Sequence, residues 1–526
     1  MQPELVLSDR TNASSDLSVA VIGGGLAGMS AAIEARRRGA RVVIFDKIKR
    51  LGGRVASYEF GQSKVRLDLC ERVLPPTSPT LDNFHRALGV GDYFEVVETV
   101  SAKSHDSGKR SALDYFNLAP NALLPAQIRV IRQILNSSYL SWKDSWNLLK
   151  TCSKLALEPD VKSTSNELYA VVDSIAARQC AEQRARKREG VELTETFTTA
   201  LKNSGASDSS IASFWRPLSL FAASESPELA AYQAMMKLAL SLSSPDSNFF
   251  SATLPNRSLS EIYNEKAQET FHSLGVETRF FRKIDGFVLE MNDDDCVTEN
   301  EAITISPPSD RNISVVGISH QGETELFDKF VLATDPFEAR ALLNRSHLKD
   351  LADSIKVEDY EFAAITTVHL WLDKPLTSAR SVILDGAPCQ RLLSRETPTL
   401  PLPNPTSGEA EGYYYQAHIR GSHRILDDVE ILARGSRDLV ARVWNQLTTS
   451  FNVSESSAPR ILASRVTTVL DAIISPTPRF YRSRPSQVTP FPNVALAGAW
   501  TETGLPPNME SAVLSGKLAV QAILGK

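Results

Sequence analysis

The residues whose types and spacing can do chemistry begin with three glycines. Gly23, Gly25 and Gly28 follow the short apolar run Val19–Ile22 at G-x-G-x-x-G spacing, and a helix-favouring stretch through Ala31, Ala32 and Ala35 comes after them. In such a strand, turn and helix the first glycine permits the tight turn. The second lets a pyrophosphate approach the backbone, and the third lets the helix pack closely on the strand. The start of the helix offers free N–H groups and the positive end of a dipole to the phosphates. Gly39 ends the helix, a second apolar strand Val42–Phe45 follows, and Asp46 stands at its end, 18 residues after Gly28. A carboxylate there can accept hydrogen bonds from an adenosine ribose, and Lys47 beside it is counted with the same set. Glycine-rich turns alone arise for structural reasons. The strand, the helix and the acid together make a dinucleotide site the expectation.

The L-G-G-R at Leu51–Arg54 narrows the cofactor class. A second glycine pair with an arginine, so soon after the ribose acid, resembles the flavin-binding amine oxidase and carotenoid desaturase superfamily. That resemblance implies FAD rather than NAD alone. It places Gly52 and Gly53 along the flavin side of the cofactor and gives Arg54 the pyrophosphate charge by forked donation. It also implies that Ile284, where the chain returns to strands, packs on the adenine. Near the C-terminus, N-V-A-L-A-G-A-W-T-E-T-G-L-P-P-N-M-E-S-A-V-L-S-G reads as a strand, a loop with Gly498 and Gly504, and a helix opening near Asn508 or Met509. A helix start after a glycine loop can present backbone N–H groups to a flavin carbonyl or to the charge of a reduced flavin, so Gly498 and Met509 join the cofactor set.

With R-P-S-Q at Arg484–Gln487, H-L-W-L-D-K-P at His369–Pro375 and F-W-R-P at Phe214–Pro217, this C-terminal stretch resembles the squalene-associated flavoenzymes, the hydroxysqualene dehydroxylases. The resemblance spans Ser18 to the C-terminus and is weakest in the helical middle. Two departures stand out. Ala499 occupies a position where that family carries an Asp that hydrogen-bonds the cofactor. In L-D-L-C-E-R-V, Asp68 is kept, while Leu69, Glu71 and Arg72 replace the Asn, Gln and His of the family's D-N-x-Q-H.

The resemblance implies redox chemistry on a long, hydrophobic isoprenoid: loss of the hydroxyl of hydroxysqualene and hydride delivery from reduced flavin to give squalene. Glu71, Arg72 and Glu502 are the polar candidates for proton delivery to the leaving hydroxyl. Charged residues of this kind are more often structural. Three alternatives stay open. One is desaturation of a phytoene-type carotenoid precursor by oxidised flavin. Another is an amine oxidase, which would want an aromatic cage where the W-T-E-T loop offers one aromatic. The third is a non-catalytic flavin-binding relic.

The elements that must position these residues point to an α/β fold: a Rossmann-like FAD-binding domain of the glutathione-reductase type, with a mixed-sheet and helical substrate domain. The expected division is a disordered tail 1–17, FAD-binding parts 18–100, 259–343 and 490–526, a helical region 101–258 and a mixed sheet 344–489. Within the helical region, the apolar stripes of Ala126–Leu135 and Tyr139–Leu157 read as core or as a face dipping into a bilayer. The charge-rich Arg178–Glu192 reads as a solvated helix. A chain of 526 residues, 42% hydrophobic and 23% charged, can bury a large core. Its net charge of −5 argues against a nucleic-acid partner, which wants a basic face. Five scattered cysteines with no C-x-x-C pair argue against a disulfide framework or a zinc site and fit a reducing cytoplasm. No apolar run reaches the ~18 residues of a membrane span. The expectation is a cytoplasmic protein in peripheral contact with the inner face of a membrane, where a greasy substrate resides. The oligomeric state is not legible.

Overall fold

The computed structural model describes residues 17–60, 65–69, 78–101, 195–235, 251–291, 313–384, 388–395, 412–426, 436–454 and 456–525. Its first sheet is parallel throughout. β1 (Ser18–Ile22) lies between β2 (Arg41–Phe45) and β11 (Lys329–Leu332), with β7 (Glu277–Arg279) and β17 (Val494–Leu496) at the edges. All five residues of β1 are buried, as a strand covered on both faces requires. One face is covered by helices α1 (Leu26–Arg37) and α5 (Met509–Leu524). The other is covered by helix α3 (Pro336–Arg345) and the antiparallel sheet of β8 (Gly286–Met291), β9 (Ile313–His320) and β10 (Glu323–Leu326).

The chain therefore builds the nucleotide half from three separated stretches, and their meeting is tightest where α1 crosses α5. A Cβ added at Gly516 would stand 2.1 Å from the Ala27 carbonyl oxygen and 2.8 Å from the Ala31 nitrogen. Ser30 Oγ closes the same contact by donating to the Val513 carbonyl at 2.7 Å.

The second large sheet has seven strands. Its order is β16 (Ile461–Ile474), β12 (Phe362–Leu372), β15 (Tyr413–Arg420), β14 (Arg391–Arg395), β13 (Ser381–Ile383), β5 (Phe94–Ser101) and β6 (Ser251–Pro255). Every pairing is antiparallel except β13 with β5. Val368, Leu370 and Leu372 on one face pack with Leu439, Val443 and Leu447 of helix α4 (Ser436–Ser450), whose four-residue spacing forms a single apolar stripe. On the opposite face the hairpin β3 (Ser57–Phe60) and β4 (Val65–Asp68) brings Leu67 against Trp371 and Tyr414.

Several expected boundaries shift. The expected division puts Phe94–Val100 in the nucleotide half and Ser101 and Ser251–Pro255 in the helical region, yet Phe94–Ser101 and Ser251–Pro255 are strands of the seven-stranded sheet. Their short local patterns could not say which sheet would recruit them. β7 is only three residues long, because Phe281 adopts a positive φ of 55° and turns the chain out to solvent. The stretches read from sequence as helices at Ala126–Leu135, Tyr139–Leu157 and Arg178–Glu192 lie outside the described residues, as do residues 1–16. No helix among the described residues is long and apolar enough to cross a membrane.

Replacing Gly516 with Ala should force α1 and α5 apart and destabilise the protein by about 2–3 kcal/mol, read by denaturant unfolding at fixed FAD concentration. A loss below about 0.5 kcal/mol would show that the crossing can relax.

Candidate cofactor cleft

The carboxyl ends of β1, β2, β11 and β17 all reach one edge of the parallel sheet. There Gly23 N donates to the Phe45 carbonyl at 2.8 Å, Ala333 N to Ile22 at 2.8 Å and Ala497 N to Leu332 at 2.9 Å. Beyond that edge opens a cleft of about 420 Å³, where an open α/β sheet places a ligand. Helix α1 starts in this cleft with Gly25 as its N-cap, no side-chain cap and no acidic residue in its first turn. Helices α2 (Pro79–Ala87), α3 and α5 are instead capped by Ser78, Asp335 and Asn508. The first amides of α1 are thus left for an anion.

Asp46 closes one end of the cleft. Its Oδ2 accepts from Gly24 N at 2.7 Å and its Oδ1 from Ile48 N at 3.0 Å. Each oxygen keeps a further lone pair, so the carboxylate is fixed in place with capacity left for a diol. Arg282 and Lys283 stand beside it, held through Arg282 N donating to the Asp46 carbonyl at 2.9 Å. The wall opposite α1 is made of backbone. Gly52 N donates to Gly24 O at 2.9 Å, and Gly25 and Gly52 form a parallel bridge. Gly52 takes φ 93°, and a Cβ there would lie 2.6 Å from the Val55 carbonyl oxygen. Only glycine fits that turn without strain.

Gly23, Gly25, Asp46, Lys47, Gly52, Gly53, Arg54, Ile284, Gly498 and Met509 all line this one cleft. Gly28 does not. It sits beneath the turn, where a Cβ would fall 1.8 Å from Gly23 O, so its part is helix-to-strand packing. Arg54 also reaches the other domain, donating to the Asp471 carbonyl at 3.3 Å and lying over the Phe362 ring at 5.9 Å. Lys47 Nζ is 3.6 Å from Glu338. Glu502 is not brought into the cleft. Its Oε1 accepts from Gly504 N at 2.5 Å and lies 4.0 Å from Arg484 Nη1. Glu71 and Arg72 lie outside the described residues.

Sequence reasoning missed Arg420, Ala472, Ile473 and Ile474, which come from β15 and β16 and form the far wall. No local pattern marks them, since their role depends on where the second sheet docks. It also missed Glu510, in the first turn of α5. Burial raises the pKa of this carboxyl above the ordinary range, against a hydrogen bond from Ser78, and Asp82 pushes it the same way.

Comparison with known proteins bears on what this cleft holds. Residues 21–88 match the NAD(P)-binding Rossmann-like domain, and residues 292–524 match the flavin containing amine oxidoreductase family. The chain is 23% identical to 15-cis-phytoene desaturase of an Oncidium hybrid cultivar over 520 residues, 97% of this chain and 78% of that one. These matches support placing the chain in the superfamily of flavin containing amine oxidoreductases and phytoene desaturases. Over 94 residues, 18% of this chain and 22% of the other, it is 31% identical to hydroxysqualene dehydroxylase of Zymomonas mobilis. An oxidoreductase from Methanosarcina mazei shares the fold with a TM-score of 0.59 at 12% identity, covering 97% of this chain and all of that one.

The protein is a flavin-dependent oxidoreductase and its cofactor is FAD. The cleft suits that group. The open start of α1 would take a pyrophosphate and Asp46 a ribose, buried Ile284 would offer an apolar floor, and the glycine wall would let a long cofactor lie against backbone.

From the flavin cleft the second sheet carries an unexpected polar band. β15 sends Arg420 to the cleft, and on the same face, at alternate positions, His418, Gln416 and Tyr414 follow it into the interior. His369 on β12 joins them: Nδ1 is 2.7 Å from Tyr414 Oη and Nε2 is 3.1 Å from Thr467 Oγ1. Gln416 Nε2 donates to Tyr414 Oη at 2.9 Å, and His418 Nδ1 lies 3.0 Å from Thr367 Oγ1. Burial pushes His369 down to about 3, so its imidazole is neutral in this network.

Two substitutions test the cofactor assignment. Asp46→Ala should weaken FAD binding about 10- to 100-fold, and Ala499→Asp should tighten it about 2- to 10-fold, both read by fluorescence during reconstitution of the apoprotein. Unchanged affinity in Asp46→Ala would remove the ribose from that end of the cleft.

Glu510 generates a pH prediction. A carboxyl whose folded pKa lies above its unfolded value favours the fold at low pH, and that contribution is lost as pH rises through the folded pKa. Glu510 therefore contributes a fall in apoprotein stability as pH rises above about 4.5, the ordinary value, and Glu510→Gln should remove that component from the pH slope in thermal unfolding across pH 4–8. An unaltered slope would exclude Glu510 as its origin.

Proposed function

We propose that this flavoenzyme acts on a long isoprenoid, and that its reaction is the reductive dehydroxylation of hydroxysqualene. In that reaction the C–O bond breaks, a proton leaves with the hydroxyl as water, and a hydride from reduced FAD takes its place to give squalene. The observation that carries the reading is the apolar part of the cleft lining. Leu81, Ala472, Ile473, Ile474 and Met509 make apolar walls in it. Such walls suit a hydrocarbon chain beside FAD, which supplies hydride transfer when bound.

Within the isoprenoid class, the 31% identity over 94 residues to a hydroxysqualene dehydroxylase supports dehydroxylation. In this reading the chain's own residues bind and orient. The start of α1 and Asp46 hold the cofactor, and the β16 wall aligns the isoprenoid. The runner-up is desaturation of a phytoene-type precursor, supported by the relative that matches nearly the full chain.

The deciding assay incubates chemically reduced holoprotein with hydroxysqualene and looks for squalene by mass spectrometry. Squalene formation is the expected outcome. Consumption of phytoene by the oxidised protein, with hydroxysqualene untouched, would transfer the assignment to desaturation. A colourless protein that ignores added FAD would overturn both enzyme readings. Because the substrate partitions into bilayers, the reading also carries peripheral membrane contact at the cytoplasmic face, and co-sedimentation with liposomes is expected.

A further inference from the structure

Arg484, from the R-P-S-Q segment, lies just behind the cleft with its side chain fully buried. Its guanidinium gathers the loop that runs from the strand β17 to helix α5. Nη1 donates to the Leu505 carbonyl at 2.7 Å, and Nη2 donates to Thr501 at 2.5 Å and Ala499 at 3.2 Å. Nη2 also lies 3.4 Å from both Thr503 Oγ1 and Ser511 Oγ, two hydroxyls themselves 2.7 Å apart. Ser511 is in the first turn of α5, so one side chain ties the loop to the helix start.

The loop has a second, neutral clamp. Gln487 Nε2 donates to Thr501 Oγ1 at 3.0 Å and to the Glu502 carbonyl at 2.6 Å. Holding carbonyls in place therefore does not by itself call for a charge, and a buried guanidinium is costly to desolvate unless it is paired. The pairing here is loose. Among the described residues the carboxylate that pairs with it is Glu502, at 4.0 Å and partly exposed, while the Phe480 and Tyr481 rings lie 5.2 and 5.4 Å from the guanidinium carbon. Positive charge is thus left over directly behind Ala499 and Trp500, which line the cleft, and it adds to the positive end of α5. In a low-dielectric setting that charge reaches across the loop.

We propose that Arg484 is a positioning and electrostatic residue for the cofactor: it sets the Ala499–Leu505 loop and stabilises the negative charge that a flavin ring gains on reduction. Glu502, which partly neutralises Arg484, opposes it. The inference rests on FAD as cofactor and is independent of the substrate.

Three variants of the holoprotein test it, with the flavin midpoint potential measured by dye equilibration and FAD affinity measured in both redox states. Arg484→Met should move the potential in the negative direction, with reduced FAD weakened about tenfold more than oxidised FAD. Glu502→Gln keeps an acceptor for Gly504 N while removing the counter-charge, so it should move the potential the opposite way. Arg484→Lys keeps the charge but not the fork, so it should hold the potential near the parent value while weakening FAD in both states alike. A purely structural residue would lower the unfolding temperature without opposite-signed potential shifts. Shifts of the same sign in Arg484→Met and Glu502→Gln, or no shift in either, would overturn the proposal. Should Arg484→Met fail to fold, the absence of a positive shift in Glu502→Gln overturns it alone.

Discussion

Two backbone turns press against each other at the centre of this protein, and the remaining structure depends on that contact. Gly52 N donates to Gly24 O, and the Gly53 and Gly25 backbones meet so closely that a Cβ on Gly53 would lie 3.1 Å from the Gly25 Cα. No side chain can stand between them. The contact brings the L-G-G-R loop beside the open start of α1, and the cleft is the space these turns frame. It also orients Arg54 toward β12 and β16, so the joint between the nucleotide half and the seven-stranded sheet begins at the same place.

The cleft is assembled from distant pieces because a parallel sheet needs crossover connections. Each strand ends at the same edge, and the chain leaves the sheet between strands to build the second domain. β1 and β2 supply the ribose acid and the open helix start, β11 contributes Ala333 and Thr334, and β17 contributes Gly498 and Ala499. The second sheet closes the far side with Arg420 and Ala472–Ile474. Its two faces have opposite characters. One packs on α4 through aliphatic residues, and the other carries the His369, Tyr414 and Gln416 network. A satisfied buried network of this kind is rigid and permits few alternative packings.

Legibility from the sequence followed the range of the interactions. The G-x-G-x-x-G turn, Asp46, the L-G-G-R loop and the start of α5 were readable because each is a local device: a turn that needs positive φ, an acid at a strand end, a helix after a glycine loop. Ten of the eleven residues assigned to the cofactor from such signals line the same cleft, and Gly28 supports it from below. The placements that went astray were non-local. Phe94–Ser101 has the alternation of any half-buried strand, and its partners β6 and β13 lie far along the chain. Glu502 looked available for chemistry because a sequence does not reveal that Gly504 N and Arg484 occupy its carboxylate.

By itself, the sequence determined the class of cofactor, since a dinucleotide is gripped by backbone amides and one acid whose geometry is set within some thirty residues. It also determined the α/β class, through apolar runs suited to a parallel sheet buried on both faces. Only the tertiary structure decided what surrounds the reactive end. The apolar wall of β16, the polar band reached through Arg420 and the charge of Arg484 behind Ala499 all arise where segments hundreds of residues apart are packed together. Burial and field at such a place are properties of the assembled whole, and no single stretch encodes them.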